Sequence, residues 1–157
     1  YNDHVNFWNT GKEFDANAKV VEIPGPDRKP FVLVTIESNN EMMQKFARSE
    51  RGAFVVVQKT LKGNVQIYTN EKVISLCRTG IVPDIRTKER KLKRIYDELD
   101  AETLAKAGRV EGDEEWYLPQ EDSQVFLNGS LSAQDVPPTK IPLEIIAEIV
   151  ANALYRY

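Results

Sequence analysis

The sequence has few of the side chains from which catalytic and metal sites are usually built. Its 157 residues include one histidine, His4, and one cysteine, Cys77. A single cysteine excludes an intrachain disulfide and any zinc site with several cysteines, and it favours a reducing cytoplasm as the compartment. A Ser-His-Asp or Cys-His relay would have to use His4, which lies in the least regular part of the sequence. We therefore expect no metal site, and whether the chain is an enzyme stays open.

Sequence motifs for cofactors and long apolar runs are also absent. The eight glycines are all isolated, so neither the dinucleotide fingerprint nor the P-loop occurs. The patterns H-E-x-x-H, G-x-S-x-G and the EF-hand loop are missing as well. No apolar run approaches the roughly 18 residues that span a bilayer. These absences predict a soluble protein with no cofactor and no membrane partner, and they leave the catalytic residues unknown.

An overall excess of charge of one sign is the third absence. Lys plus Arg number 21 and Asp plus Glu 24, for a net charge of −3. This balance excludes a protein that is basic throughout, as a dedicated DNA-wrapping domain would be. Length and composition fit one globular domain over residues 1–157. Within it, residues 1–18 are expected to form an irregular, aromatic-rich arm, and a chain beginning at Tyr1 is expected to be a fragment or an excised domain.

Two pairs of short apolar runs predict β-hairpins. Lys19–Ile23 and Phe31–Ile36 flank a Pro-Gly-Pro-Asp turn, and residues 53–59 and 64–69 flank a second turn that contains Gly63. Helical spacing of apolar residues follows Ser38. A wide apolar stripe after Pro142 predicts a long amphipathic C-terminal helix. The order of elements predicts an α+β fold in which helices pack on one face of a largely antiparallel sheet.

A run of basic residues is the sharpest functional feature. The segment 85–94 holds six basic residues and one acid, a local charge of +5. On a helix, most of these cations share a broad face that suits phosphate groups. The candidate anion-binding residues are Arg86, Lys88, Arg90, Lys91, Lys93 and Arg94. Supporting candidates, if the fold brings them near, are Arg48, Arg51, Lys59, Lys62 and Tyr68.

The acidic segment that follows offers the opposite interpretation. Residues 97–122 hold ten acids and two basic residues, a local charge of −8. The two blocks would then neutralise each other and leave no patch. Tyr68, on the wetter side of its strand, is the kind of ring on which bases stack, although an ordinary strand tyrosine fits equally well.

Three functions remain open at this point. The first is a non-enzymatic module that binds an anionic ligand or RNA through the basic helix. The second is a small hydrolase, or the substrate-binding portion of a phosphoester hydrolase. Residues 62–70 and 128–130 resemble turns in accessory domains of phosphoesterases, but the metal-binding Asp and His motifs of those enzymes are missing. The third is a protein-interaction or dimerisation domain, so homo-oligomers are also left open.

Overall fold

The computed structural model describes residues 2–24, 30–69, 80–96, 99–112, 114–120, 123–129 and 135–156. Over these ranges the chain forms a five-stranded sheet and five helices, a mixed α+β fold. The strands are β1 (Lys19–Ile23), β2 (Phe31–Glu37), β3 (Val55–Lys59), β4 (Val65–Thr69) and β5 (Val125–Leu127). The helices are α1 (Asn2–Asn17), α2 (Met43–Glu50), α3 (Ile81–Leu92), α4 (Ala101–Ala105) and α5 (Leu143–Arg156).

The sheet has the strand order β1-β2-β3-β4-β5. Both predicted hairpins are present, since β1 pairs with β2 and β3 with β4 in antiparallel fashion. β4 and β5 are also antiparallel, whereas β2 and β3 are parallel and joined through α2. A parallel pair needs a crossover between its strands, and α2 provides it. The prediction of a largely antiparallel sheet therefore holds for three of the four pairings.

Helices cover both faces of the sheet, which corrects the prediction that they pack on one. The first face carries Phe31 and Leu33 of β2 and packs against α3 and α5. The second face carries Val34 and Ile36 of the same strand and packs against α1 and α2. Successive side chains of a strand point to opposite faces, so the continuous apolar run of β2 requires a cover on each side.

The N-terminal arm is a helix, α1, and not the irregular segment that its asparagines and glycine predict. Phe14 is buried against the ring of Phe46 on α2, with ring centroids 5.8 Å apart. A Cβ at Gly11 would lie 3.1 Å from the Phe46 ring, so glycine allows the two helices to approach closely. Packing against α2 therefore outweighs the weak helix propensity of this segment.

The C-terminal helix α5 spans 14 residues, so the expected long helix is not confirmed. Its Ile146, Val150 and Leu154 are buried in the core of the first face, while Glu144 and Glu148 are exposed. In the part of the chain that the structure describes, no helix is long and apolar enough to cross a membrane.

Candidate functional site

Two of the candidate anion-binding arginines on the basic helix α3 point inward. Arg86 is fully buried and Arg90 nearly so. The Arg86 guanidinium donates to the carbonyls of Leu104, Lys106 and Gly108 at 2.7–2.8 Å. Arg90 Nη1 donates to the carbonyl of Glu111 at 2.5 Å. Both cations therefore hold main-chain atoms of the segment that follows α3.

The acidic segment thus meets the basic helix mainly through its backbone. Arg86 binds carbonyls at and just beyond the end of α4, where a helix leaves its last carbonyls without partners. Its Cζ also lies 5.4 Å from the centroid of the Phe126 ring on β5. An ion pair between side chains occurs at Lys93, whose Nζ lies 2.6 Å from Glu115 Oε1. The interpretation in which the two blocks meet is therefore closer to the structure than an open cationic face.

Three of the remaining cations of the basic run, on α3 or just after it, lie nearer the solvent. Lys91 and Arg94 are exposed and Lys88 is partly buried. Arg94 follows the helix with a φ of 60°, in the left-handed region. If the basic helix binds an anion, Lys88, Lys91 and Arg94 are the residues available to contact it. Anion binding by these residues stays a prediction.

Glu89, the one acid of the basic run, has a position that the sequence analysis did not anticipate. It is buried, and its carboxylate accepts hydrogen bonds from Trp116 Nε1, Thr139 Oγ1 and the Lys140 amide at 2.7–3.3 Å. Burial raises the Glu89 pKa, and the nearby charge of Glu115 raises it further, whereas these hydrogen bonds lower it. The residue therefore joins α3 to two other segments at the cost of a buried carboxyl group.

The supporting candidates fall into separate places. Arg48 Nη1 donates to the Thr69 carbonyl at 2.9 Å, and its Cζ lies 5.7 Å from the centroid of the Tyr68 ring. Arg51, at the C-terminal end of α2, forms an ion pair with Asp15 in which Nη2 and Oδ1 are 3.4 Å apart. Lys59 ends β3 opposite the first residue of β4, and exposed Lys62 lies in the turn beyond it, at the other end of the hairpin from Tyr68. Arg48 and Tyr68 lie with the second face of the sheet, whereas α3 packs on the first, so these two residues do not widen the α3 patch.

Arg48 and Tyr68, which we call the Arg48–Tyr68 site, form a half-buried pair on the second face. Burial lowers the pKa of Arg48, and Tyr68 opposes that shift. Burial raises the pKa of Tyr68, Arg48 opposes that shift, and the negative charge of Glu41 adds to it. Besides Thr69, the guanidinium bonds the backbone and side-chain oxygens of Gln44. These partners are all neutral, so they satisfy N–H groups without neutralising the charge.

Gln58, Gln66 and Tyr68 form a polar strip on the second face of the sheet. The buried amide side chains of Gln58 and Gln66 are directly paired across β3 and β4. Gln58 donates to the carbonyls of Ser38 and Asn40, and Gln66 donates to the carbonyl of Gly129. The sequence signal for this strip was present in the polar alternation of β4, which placed Gln66 and Tyr68 on one face.

The structure provides no contacts for the two remaining candidates, Cys77 and His4. Cys77 lies outside the described residues, and His4 belongs to α1 but its side chain is not among those described. Over the described ranges, no group of three or more histidine, cysteine, aspartate or glutamate side chains is placed to hold a metal ion. Comparison with known proteins finds no matching family model, no matching curated protein and no matching solved structure.

Proposed function

We propose that the chain is a binding module for a nucleotide, free or within single-stranded RNA, and that the Arg48–Tyr68 site receives it. The observation that carries this proposal is the half-buried Arg48 guanidinium, whose described partners are all neutral oxygens. A cation that has lost part of its water gains free energy from an anion more readily than a fully solvated one. Arginine is also the side chain that best matches the geometry of a phosphate group.

The neighbouring ring of Tyr68 supports a nucleotide over a simple anion. Aromatic side chains stack on bases regardless of sequence, and a guanidinium beside the ring binds the backbone. Tyr68 is partly buried and packs against the core of the second face, so the residue is not wholly enclosed. A reducing cytoplasm stays the compartment that we propose, on the basis of the single cysteine.

The test is a titration of a fluorescently labelled oligouridylate, followed by anisotropy at low and at physiological ionic strength. Arg48→Gln removes the anchoring charge, and we expect it to weaken binding by about tenfold or more, equivalent to about 1.4 kcal/mol. The matched control is Lys91→Gln, which removes one exposed charge from α3. Loss of the Arg48 contact should also flatten the dependence of affinity on salt.

Three outcomes would separate the possibilities. Equal small losses in both variants would contradict a defined site and indicate nonspecific attraction. A loss of affinity confined to Lys91→Gln would indicate that the ligand binds at α3. Competition by uridine monophosphate would identify a free nucleotide as sufficient, whereas binding of the oligonucleotide without such competition would identify RNA as the ligand.

A further inference from the structure

The side chain of Asn128, directly after β5, is buried and has a partner for each of its polar atoms. Its Oδ1 accepts from the amides of Val65 at 3.3 Å and Thr139 at 2.7 Å. Its Nδ2 donates to the carbonyls of Glu115 at 3.1 Å and Pro137 at 3.0 Å. A carboxamide offers two donors and two acceptor sites, so these four partners satisfy it completely. This arrangement, which we call the Asn128 junction, connects β4 with the segments before β5 and before α5.

The main chain on both sides of this side chain is held as well. The Asn128 amide donates to the Val65 carbonyl at 2.8 Å, which continues the pairing of β4 and β5 by one residue. The Asn128 carbonyl accepts from Asn64 Nδ2 at 2.9 Å, and the Gly129 carbonyl accepts from Gln66 Nε2 at 3.1 Å. Neither the side chain nor the peptide bond that follows it can therefore turn without breaking hydrogen bonds.

The residue after Asn128 is a glycine, and this is the single Asn-Gly pair in the sequence. Asparagine before glycine deamidates spontaneously in water, because glycine has no side chain to hinder the approach of its nitrogen to the neighbouring amide carbon. The Gly129 nitrogen bonds to Asn128 Cγ, the Cγ–Nδ2 bond breaks, and the Gly129 amide proton departs with Nδ2 as ammonia. Water then opens the succinimide ring to aspartate or isoaspartate. One water is consumed and one ammonia is released.

The closed junction opposes this reaction and does not fit its products. Ring closure needs rotation of both the Asn128 side chain and its peptide bond with Gly129, and both are held. In an aspartate, a carboxylate oxygen would replace Nδ2 and face the carbonyls of Glu115 and Pro137. Three acceptors would then meet without a proton to share, in a place where water is excluded. Isoaspartate would lengthen the main chain by one methylene group and shift the residues that follow.

We propose that Asn128 is a conditional modification site, which is unreactive while the junction is closed and is converted by water to aspartate or isoaspartate once the junction opens. Conversion is one-way, because the product cannot restore the two hydrogen bonds that Nδ2 donates. Opening of this part of the first face is thereby recorded in the covalent structure of the chain. The proposal does not depend on nucleotide binding, since the junction includes neither Arg48 nor Tyr68.

The first test compares the folded protein with the protein unfolded in guanidinium chloride, both at the same mildly alkaline pH. Trypsin releases residues 110–140, in which Asn128 is the one asparagine, so mass spectrometry measures its conversion directly. We expect conversion to be at least about tenfold slower in the folded protein, because it follows the population of the open junction. Equal rates in the two states would overturn the proposal.

A variant tests whether the hydrogen bonds of the junction provide the protection. Asn64→Ala removes the donor to the Asn128 carbonyl and should accelerate conversion in the folded protein by about fivefold, the change expected for one hydrogen bond. The matched control is Asn9→Ala, which replaces an exposed asparagine on α1 and should leave the rate unchanged. Equal rates in the two variants would contradict protection by the junction.

Asn128→Asp reproduces one product and tests whether conversion is one-way. We expect its urea midpoint to fall clearly below that of the wild-type protein, whereas Asn9→Asp, which adds the same charge at an exposed position, should change the midpoint little. Equal midpoints for Asn128→Asp and the wild-type protein would overturn the one-way character. If Asn128→Asp does not fold, aged wild-type protein provides the same comparison. Converted chains should then collect in the unfolded fraction on size exclusion, and their presence among folded chains would contradict the proposal.

Discussion

Arg86 and Arg48 both donate to main-chain carbonyls, yet they lie in different environments. Arg86 is fully buried on the first face, where three carbonyl oxygens receive its guanidinium. Arg48 is partly buried with the second face, where its partners are the Thr69 carbonyl and the oxygens of Gln44. An arginine with three fixed carbonyl partners and no room for solvent is a structural element. One that keeps part of its surface in water, beside an aromatic ring, remains able to take a ligand.

The comparison also shows how neighbouring blocks of opposite charge meet in this fold. Arg86 and Arg90 hold the backbone of the acidic segment, and among its described residues most acidic side chains are exposed. Glu102, Glu111 and Glu114 are exposed. Main-chain carbonyls are fixed in place by the fold, whereas surface carboxylates lose side-chain entropy when they pair. Arginine is suited to this use because its planar fork can donate to several oxygens at once.

The largest expected effect comes from removing the guanidinium of Arg86. Arg86→Met keeps much of the aliphatic stem but leaves the carbonyls of Leu104, Lys106 and Gly108 without this donor. We expect a loss of about 3–5 kcal/mol in the free energy of unfolding, because charged donors to buried acceptors are lost together. Urea denaturation measures this loss. Lys91→Met, an exposed change on the same helix, should cost less than about 0.5 kcal/mol, and similar losses in both variants would contradict the distinction.

Replacing Arg90 should have a smaller effect. Its described hydrogen bond goes to one carbonyl, that of Glu111, at 2.5 Å. We expect Arg90→Met to lower the free energy of unfolding by about 1.5–3 kcal/mol, the range for one hydrogen bond to a charged group. The same urea experiment ranks it between Arg86→Met and Lys91→Met. A loss equal to that of Arg86→Met would show that the number of carbonyl partners does not set the cost.

Much of the fold follows from local patterns in the sequence. The hairpin of β3 and β4 was predictable because alternating strands flank a turn, and Gly63 there has a φ of 108°. Asp100 was predictable as a helix cap, and its carboxylate accepts from the Thr103 amide at 2.8 Å. Helix α1 was missed because its buried stripe combines one aromatic residue, Phe14, with the small residues Thr10 and Gly11. This stripe is recognisable only once α2 is there to pack against it.

The candidate site could be predicted only in part, for a related reason. Spacing places Arg86 and Arg90 on one face of a helix, but it does not show whether that face meets water or the core. Long cationic side chains look like surface residues in a sequence, since burial of a charge is rare without partners. Their partners are carbonyl oxygens, which every residue has, so no sequence pattern marks them. Arg48 and Tyr68 are 20 positions apart in sequence and meet only through the packing of α2 on the sheet.

The smallest effect, and the sharpest test of the comparison, is the cost of removing Arg48. Its contacts replace hydrogen bonds that a half-exposed guanidinium can also make with water. Arg48→Met should therefore lower the free energy of unfolding by no more than about 1 kcal/mol, and, like Arg48→Gln, it should weaken nucleotide binding. A side chain whose replacement barely affects stability but removes ligand affinity serves binding, and the reverse result identifies a structural residue. Urea denaturation and the anisotropy titration, applied to the same protein preparations, place Arg48 in one class or the other. If Arg48→Met lowers the free energy of unfolding as much as Arg86→Met does, both arginines are structural residues. That result would contradict the proposed role of Arg48 in binding the ligand.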